Sequence, residues 1–205
     1  MIVKVCGMRH EYNILALEKL DIDWIGFIFF PDSPRYVTDQ NEFLAAIMSC
    51  SKKKVGVFVN ENPEEILTKI AKYQLDYVQL HGDESPTVCQ QLHSSNCAII
   101  KAFPILSAKD FMQTKDYEPF VKYFLFDTKS SKRGGTGIRF DWSVLGAYCG
   151  SVPFLLSGGI APEHAVEIKN IQHPQIAGID LNSRFELSPA VKDPYKLEKF
   201  IEKIR

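Results

Sequence analysis

Apolar residues along the chain fall into short unbroken runs separated by longer, amphipathic stretches. The runs are Ile2–Cys6, Trp24–Phe29, Val55–Val59, Tyr77–Leu80, Ala98–Phe103, Tyr123–Asp127, Phe154–Leu156 and Ile176–Leu181. They are rich in Val, Ile, Phe and Leu and do not alternate with polar residues, which is the pattern of parallel strands covered on both faces. Between them, amphipathic spacing predicts helices over Tyr12–Leu20, Asn41–Ser49, Pro63–Tyr73, Ser85–Leu92, Trp142–Ala147, Pro162–Ile171 and Pro194–Ile204. Asn62 ahead of Pro63, Glu64 and Glu65, and Ala161 ahead of Pro162 and Glu163, read as helix starts, because proline at the first helical position loses no hydrogen bond. Leu106–Glu118 has the weakest helical pattern and is expected to be short or irregular.

Eight strands alternating with about eight connections, at about 26 residues per unit, predict an α/β protein: a (β/α)8 barrel of the TIM type, one domain over residues 1–205. A doubly wound open sheet is the competing arrangement. It would usually place a G-x-G-x-x-G fingerprint after its first strand, where this chain has Cys6-Gly7-Met8-Arg9. No internal repeat, low-complexity segment or linker divides the sequence.

Composition narrows the function without naming it. The 205 residues carry 24 basic and 25 acidic side chains, so no broad field favours nucleic acid or an anionic membrane as partner. No apolar stretch approaches the roughly 20 residues of a membrane span. The opening segment is broken by Gly7, Arg9, His10 and Glu11 and does not read as a signal peptide. The five cysteines, Cys6, Cys50, Cys89, Cys97 and Cys149, are scattered, with no C-x-x-C pair and no histidine at ligand spacing. Reduced thiols in a cytoplasm are expected, and a disulfide framework is not.

In a barrel of this kind, chemistry sits at the C-terminal ends of the strands. The turns there read Cys6-Gly7, Pro31 to Tyr36, Asn60-Glu61, His81-Gly82-Asp83, Asp127-Thr128, Ser157-Gly158-Gly159 and Asn182-Ser183. Gly158 and Gly159, with Asn182 and Ser183 on the neighbouring strand, occupy the usual phosphate position, where backbone N–H groups approach an anion. A tight turn alone would also account for the glycine pair. Cys6 is either a small core residue or, at a strand end beside glycine, a thiolate base that neighbouring cations activate. Asp127 ends the apolar run Tyr123-Phe124-Leu125-Phe126, so it either caps the next turn or serves the site. Two such groups on different sides of the mouth could remove one proton and donate another. The planar fork of Arg35 suits a substrate carboxylate, against the alternative of a surface ion pair. His81 is a turn residue or a ligand contact.

Taken together, these motifs resemble the phosphoribosylanthranilate isomerase family of tryptophan biosynthesis, nearly end to end. The resemblance rests on Val3-Lys4-Val5-Cys6-Gly7, Gly26-Phe27-Ile28-Phe29, Ser33-Pro34-Arg35-Tyr36, Val55 to Asn60, Val78-Gln79-Leu80-His81-Gly82 and Phe126-Asp127-Thr128. It continues through Gly134-Gly135-Thr136-Gly137, Phe140-Asp141-Trp142, Ser157-Gly158-Gly159-Ile160, Pro162-Glu163, Gly178-Ile179-Asp180-Leu181 and Pro189 to Asp193. It implies an Amadori rearrangement of a phosphoribosyl small molecule, with no metal or organic cofactor. Asp127 would be the general acid, Cys6 the general base and Arg35 the holder of the anthranilate carboxylate. Gly158, Gly159, Asn182 and Ser183 would bind phosphate, His81 and Asp180 would be further substrate contacts, and the loop Gly134, Gly135, Thr136 and Gly137 would close over the site. Nothing in the sequence demands a dimer, so a monomer is expected.

Two departures from the family pattern stand out. Met8-Arg9 follows Cys6-Gly7 where a hydrophobic residue and threonine are common, and Asn182-Ser183-Arg184-Phe185-Glu186 replaces Ser-Ser-Gly-Val-Glu. Arg184 for glycine puts a left-handed backbone position in question. The competing readings are the related barrel isomerase of histidine biosynthesis, a non-catalytic phosphosugar-binding barrel, and a thiol-redox protein. The first would be expected to have aspartate in place of Cys6 and a second anion cradle in its other half. The last lacks a resolving cysteine close in sequence.

Overall fold

The computed structural model describes residues 1–38, 41–94, 98–128 and 140–205, with the backbone alone for residues 41 and 42. Eight parallel strands close on themselves: β1 (Ile2–Cys6), β2 (Trp24–Ile28), β3 (Lys53–Phe58), β4 (Tyr77–Leu80), β5 (Ala98–Ile105), β6 (Tyr123–Thr128), β7 (Phe154–Leu156) and β8 (Ile176–Leu181). Ring closure pairs the first strand with the last, with Ile2 opposite Gly178 and Val5 opposite Leu181. The open doubly wound sheet is thereby ruled out, and the (β/α)8 expectation holds.

Strand alternation divides the apolar residues between two cores. Val3 and Val5 face outward, into a core shared with α1 (Glu11–Glu18), α2 (Asn41–Ser49), α3 (Pro63–Tyr73), α4 (Pro86–His93) and, toward the C-terminus, α5 (Ala165–Lys169) and α6 (Pro194–Ile204). The inward positions form a second cluster around Trp24, Val55, Ile100, Ala102, Leu125 and Leu155. Trp24, Tyr77 and Tyr123 open β2, β4 and β6, and Trp24 packs on Tyr77 at 4.4 Å and on Tyr123 at 5.3 Å between ring centroids. These rings plug the N-terminal end. The next inward positions, Lys4, Gln79 and Asp180, are polar and buried, and above them Cys6, His81 and Asp127 reach the opposite rim.

Helix starts follow the predicted chemistry. Asn62 accepts from the Glu64 N–H at 2.9 Å ahead of Pro63, and Asp193 accepts from the Lys196 N–H at 3.0 Å ahead of Pro194. The later connections depart from the α-helical expectation. Trp142–Ala147 is a single 3-10 segment, and Pro162–His164 is a 3-10 turn that yields only the five-residue α5. Leu106–Glu118, expected to be irregular, becomes a 3-10 helix over Ala108–Phe120 that buries Phe111 and Thr114. These stretches carry too few apolar positions to hold a full α-helical face against the barrel.

A short antiparallel ribbon after β8 was not anticipated. It consists of β9 (Glu186–Ser188) and β10 (Val191–Lys192), turned by Ala190 at φ 67°. Asn13 on α1 clamps it, donating to the Lys192 carbonyl at 3.0 Å and accepting from the Lys192 N–H at 2.7 Å. A runs-and-periods reading has no signal for strands of three and two residues. Behind β5, Lys101 is buried against Glu84 at 3.0 Å and also donates to the Gly82 carbonyl at 2.7 Å. Glu84 in turn accepts from the N–H groups of Asn60 and Gly82, which fixes the turn that follows His81.

Candidate active site

Cys6 ends β1 opposite Gly26, where a Cβ would stand 2.8 Å from the sulfur, so the missing side chain makes room for the thiol. Burial pushes this thiol above its ordinary range. The ammonium groups of Lys4 and Lys192 pull it down and the Asp180 carboxylate pushes it up, and the balance leaves it protonated at rest.

Gly7 follows at φ 82°, and a Cβ there would meet Arg35 Cδ at 2.6 Å and Asn182 Oδ1 at 3.0 Å. The glycine thus lets Arg35 cross beside the cysteine. Arg35 itself is held from below: its Nε and Nη2 donate to the two oxygens of Glu186 at 2.8 and 2.6 Å. Lys192 donates to the same carboxylate and, at 2.7 Å, to Asn182 Oδ1. Burial works against the Glu186 charge, yet the hydrogen bonds from Arg35 and Lys192 hold its carboxyl below the usual range. Lys192, fully buried, is brought down to about 8 by desolvation despite Glu186 beside it. The Arg35 ion pair is real but buried and bidentate, with the Nη1 edge of the fork left over among the described residues.

Asp127 stands on the far side of the ring. Its Oδ1 accepts from the Thr128 N–H at 2.8 Å and its Oδ2 faces His81 Nε2 at 3.2 Å. The capping and site readings of this carboxylate are therefore compatible. Gly158, at φ 85°, lies so close that a Cβ would stand 2.8 Å from Asp127 Oδ1 and would collide with Thr128 Oγ1. Gly159 follows at φ 66°. These two residues do make the tight turn that a glycine pair permits, and the turn brings β7 against Asp127. Asn182 leads into a 3-10 turn over Ser183–Phe185, and Arg184 is not among the residues with positive φ. The position at which arginine replaces glycine thus needs no left-handed backbone.

Asp180 proves to be the counter-ion of Lys4, at 3.0 Å, while its Oδ1 is buried without a hydrogen-bond partner among the described residues. Burial raises this carboxyl against the pull of Lys4. The loop Gly134, Gly135, Thr136 and Gly137 lies outside the described residues, as does Cys97. The other four cysteines are free thiols. Among the described residues, no group of three or more His, Cys, Asp and Glu side chains could hold a metal ion, and no helix is long and apolar enough to cross a membrane. The turn after β3 directs the Asn60 N–H to Glu84 and the Asn62 N–H to Glu61, so it forms no second anion cradle.

Sequence reasoning missed Lys4, Gln79, Glu186 and Lys192. For the first two a signal existed. Lys4 interrupts Val3 and Val5, and Gln79 interrupts Val78 and Leu80, each an isolated polar residue at an inward position of a buried strand. Glu186 and Lys192 meet only through the ribbon.

A family model described as N-(5'-phosphoribosyl)anthranilate (PRA) isomerase matches residues 3–203. A protein of Parabacteroides distasonis named N-(5'-phosphoribosyl)anthranilate isomerase is 52% identical over 208 residues, which covers all of this chain and 93% of that protein. The crystal structure of phosphoribosyl anthranilate isomerase from Thermotoga maritima superposes with a TM-score of 0.86 at 32% identity, over all of this chain and 98% of that one. A phosphoribosyl anthranilate isomerase solved with reduced 1-(o-carboxyphenylamino)-1-deoxyribulose 5-phosphate gives a TM-score of 0.85 at 30% identity, again over all of this chain and 98% of that one. With the barrel, the rim cysteine and aspartate and a match along almost its whole length, the chain belongs to the N-(5'-phosphoribosyl)anthranilate isomerase family.

Proposed function

We propose that the chain isomerises N-(5-phosphoribosyl)anthranilate to 1-(2-carboxyphenylamino)-1-deoxyribulose 5-phosphate, the Amadori step of tryptophan biosynthesis. The observation that carries the assignment of roles is the presence of Cys6 and Asp127 at one rim, above a buried polar layer. Asp127 gives a proton to the furanose ring oxygen as the anilino lone pair forms a C1–N double bond and the C1–O bond breaks. The resulting iminium acidifies the C2 proton, which the Cys6 thiolate removes to give an enolamine. Ketonisation adds a proton at C1 and releases the one on the C2 oxygen. Return of one proton from sulfur to the Asp127 carboxylate, directly or through solvent, completes the cycle with no net redox change.

The free Nη1 edge of Arg35 is suited to the anthranilate carboxylate, and Glu186 holds the guanidinium in place for it. The turn at Gly158 and Gly159, with Asn182 and Ser183, takes the phosphate. His81 faces the sugar hydroxyls, and Asp180 Oδ1, buried and without a hydrogen-bond partner among the described residues, is a further acceptor beneath them. Support for these placements comes from the relative solved with reduced 1-(o-carboxyphenylamino)-1-deoxyribulose 5-phosphate, a ligand that bears a carboxylate, a phosphate and hydroxyls. A monomer in the cytoplasm completes the reading, and the four free thiols among the described residues suit a reducing compartment.

The test is the fluorescence decay of freshly generated substrate, with chelator present, for the wild type, Cys6→Ser and Asp127→Asn. Rapid conversion by wild type and losses of about 10²- to 10⁴-fold in each variant are expected. An inactive wild type would sink the assignment, and an active Asp127→Asn or Cys6→Ser would sink the role of that residue.

A further inference from the structure

Beneath the mouth, four strands contribute side chains to one continuous line of contacts. Asp180 Oδ2 faces Lys4 Nζ at 3.0 Å, and Lys4 Nζ faces Gln79 Oε1 at 2.8 Å. Gln79 Nε2 faces His81 Nδ1 at 2.7 Å, and His81 Nε2 faces Asp127 Oδ2 at 3.2 Å. The direction of every bond in this line follows from Lys4. Burial opposes its charge, but the Asp180 carboxylate at 3.0 Å and Cys6 together outweigh it, so the group is held above its ordinary range as an ammonium. An ammonium has donors only, so the Gln79 atom against it is the carbonyl oxygen. The amide NH2 is then turned toward His81. As a donor it requires a bare Nδ1, and the neutral ring carries its proton on Nε2, aimed at Asp127.

We propose that Gln79 is a positioning residue for the isomerisation: it locks His81 as the neutral Nε2–H tautomer, so that the ring donates to Asp127 and cannot compete with the sugar ring oxygen for its proton. The proposal rests on Asp127 being the general acid. A bare Nε2 at this distance would be a base within reach of Asp127 and would take the proton the reaction needs. With Nε2 occupied and Nδ1 covered by an amide donor, the ring has no place for that proton unless the Gln79 contact breaks. Once the proton has gone to the substrate, the same Nε2–H and the Thr128 N–H stabilise the carboxylate left behind. Gln79 sits on β4, one inward position below His81, which directly follows the strand, and acts through it.

Gln79→Glu tests this directly, because a carboxylate accepts from both Lys4 and an Nδ1–H and lets the ring become imidazolium. Gln79→Met, of similar length, removes both contacts. Long-range proton–nitrogen spectra of ring-labelled enzyme, with His81 assigned through a His81→Gln variant, read the tautomer at neutral pH. Wild type is expected to show Nε2 protonated and Nδ1 bare, and Gln79→Glu to show both protonated. The kcat of Gln79→Glu should fall about 10²-fold, the lower end of what a general acid supplies, with KM within about threefold of wild type. Gln79→Met should lose the single tautomer and a smaller part of kcat. A proton on Nδ1 in the wild type would overturn the proposal, as would wild-type kcat in either folded variant. Full activity of Asp127→Asn would instead remove the acid role it rests on, a result read independently of the tautomer.

Discussion

Arg35 and Glu186, 151 positions apart in sequence, form a two-point ion pair beneath the barrel mouth, with only 10% and 5% of their side chains exposed. Such a pair gives little net stability over an apolar substitute, but removing one member strands the other. Here the stranding is double, since Lys192 leans on the same carboxylate.

Glu186→Gln is therefore expected to lose about 3–5 kcal/mol of unfolding free energy at neutral pH and to raise the substrate KM through a displaced Arg35. The carboxyl is held below its ordinary range in the folded state, so its contribution is present above that range and disappears as pH falls through the lower, folded value. Urea melts of both proteins should show the difference shrinking toward acid pH. A constant difference would mean that shape, not charge, supports Arg35.

Gly158→Ala probes the contact between the turn after β7 and Asp127. The positive φ alone strains an alanine by about 1–3 kcal/mol, and the new methyl group would press on Asp127 Oδ1 and the Thr128 backbone. A displacement of the carboxyl of about 1 Å should lower kcat about 10²-fold. Steady-state kinetics with a melting curve separate the two effects.

The resting Cys6 thiol, raised by burial, places the required thiolate in the minority at neutral pH. The sign follows directly once the acid no longer titrates: in Asp127→Asn the residual kcat/KM should climb above pH 7 with a slope of one on a logarithmic plot, through the range where an ordinary thiol would already have levelled off. A flat profile over that range would count against sulfur as the base.

Much of this architecture was legible in the sequence, for physical reasons. Unbroken runs such as Tyr77–Leu80 and Phe154–Leu156 mark buried parallel strands whatever surrounds them, and their bounds match the structure. Cys6 and Asp127 stood out as polar ends of apolar strands. What escaped was partnership across the chain. No local pattern couples residue 4 to residue 180 or residue 35 to residue 186, and Lys4 and Gln79 read as interruptions because their bond to each other, and the Lys4 bond to Asp180, run between strands. The 3-10 form of Trp142–Ala147 escaped because a segment of six residues has no period to read.

The cysteines offer an independent check on the packing. Burial and the Glu18 carboxylate push Cys50 up to about 12, and burial brings Cys89 to about 11, while Cys149 is exposed. At mildly alkaline pH the thiolate fraction of Cys50 is roughly a thousandfold below that of an ordinary thiol. Peptide mapping after brief alkylation should find Cys149 modified and Cys50 and Cys89 untouched. Early labelling of Cys50 would show that the α1–β3 junction opens.

The ring closes through β1 and β8, and that closure sets an order of events during synthesis. Cys6 and the buried Lys4 belong to the first strand of the ring to be synthesised, while the carboxylate that neutralises Lys4 belongs to the last of the ring. Until residue 181 has emerged, β1 has one unpaired edge and an ammonium with no counter-ion, so a partial barrel can satisfy neither. Maturation of the site is thereby tied to completion of the strand ring, and a stalled chain holding six or seven strands should be a client for chaperones, not a weakly active enzyme.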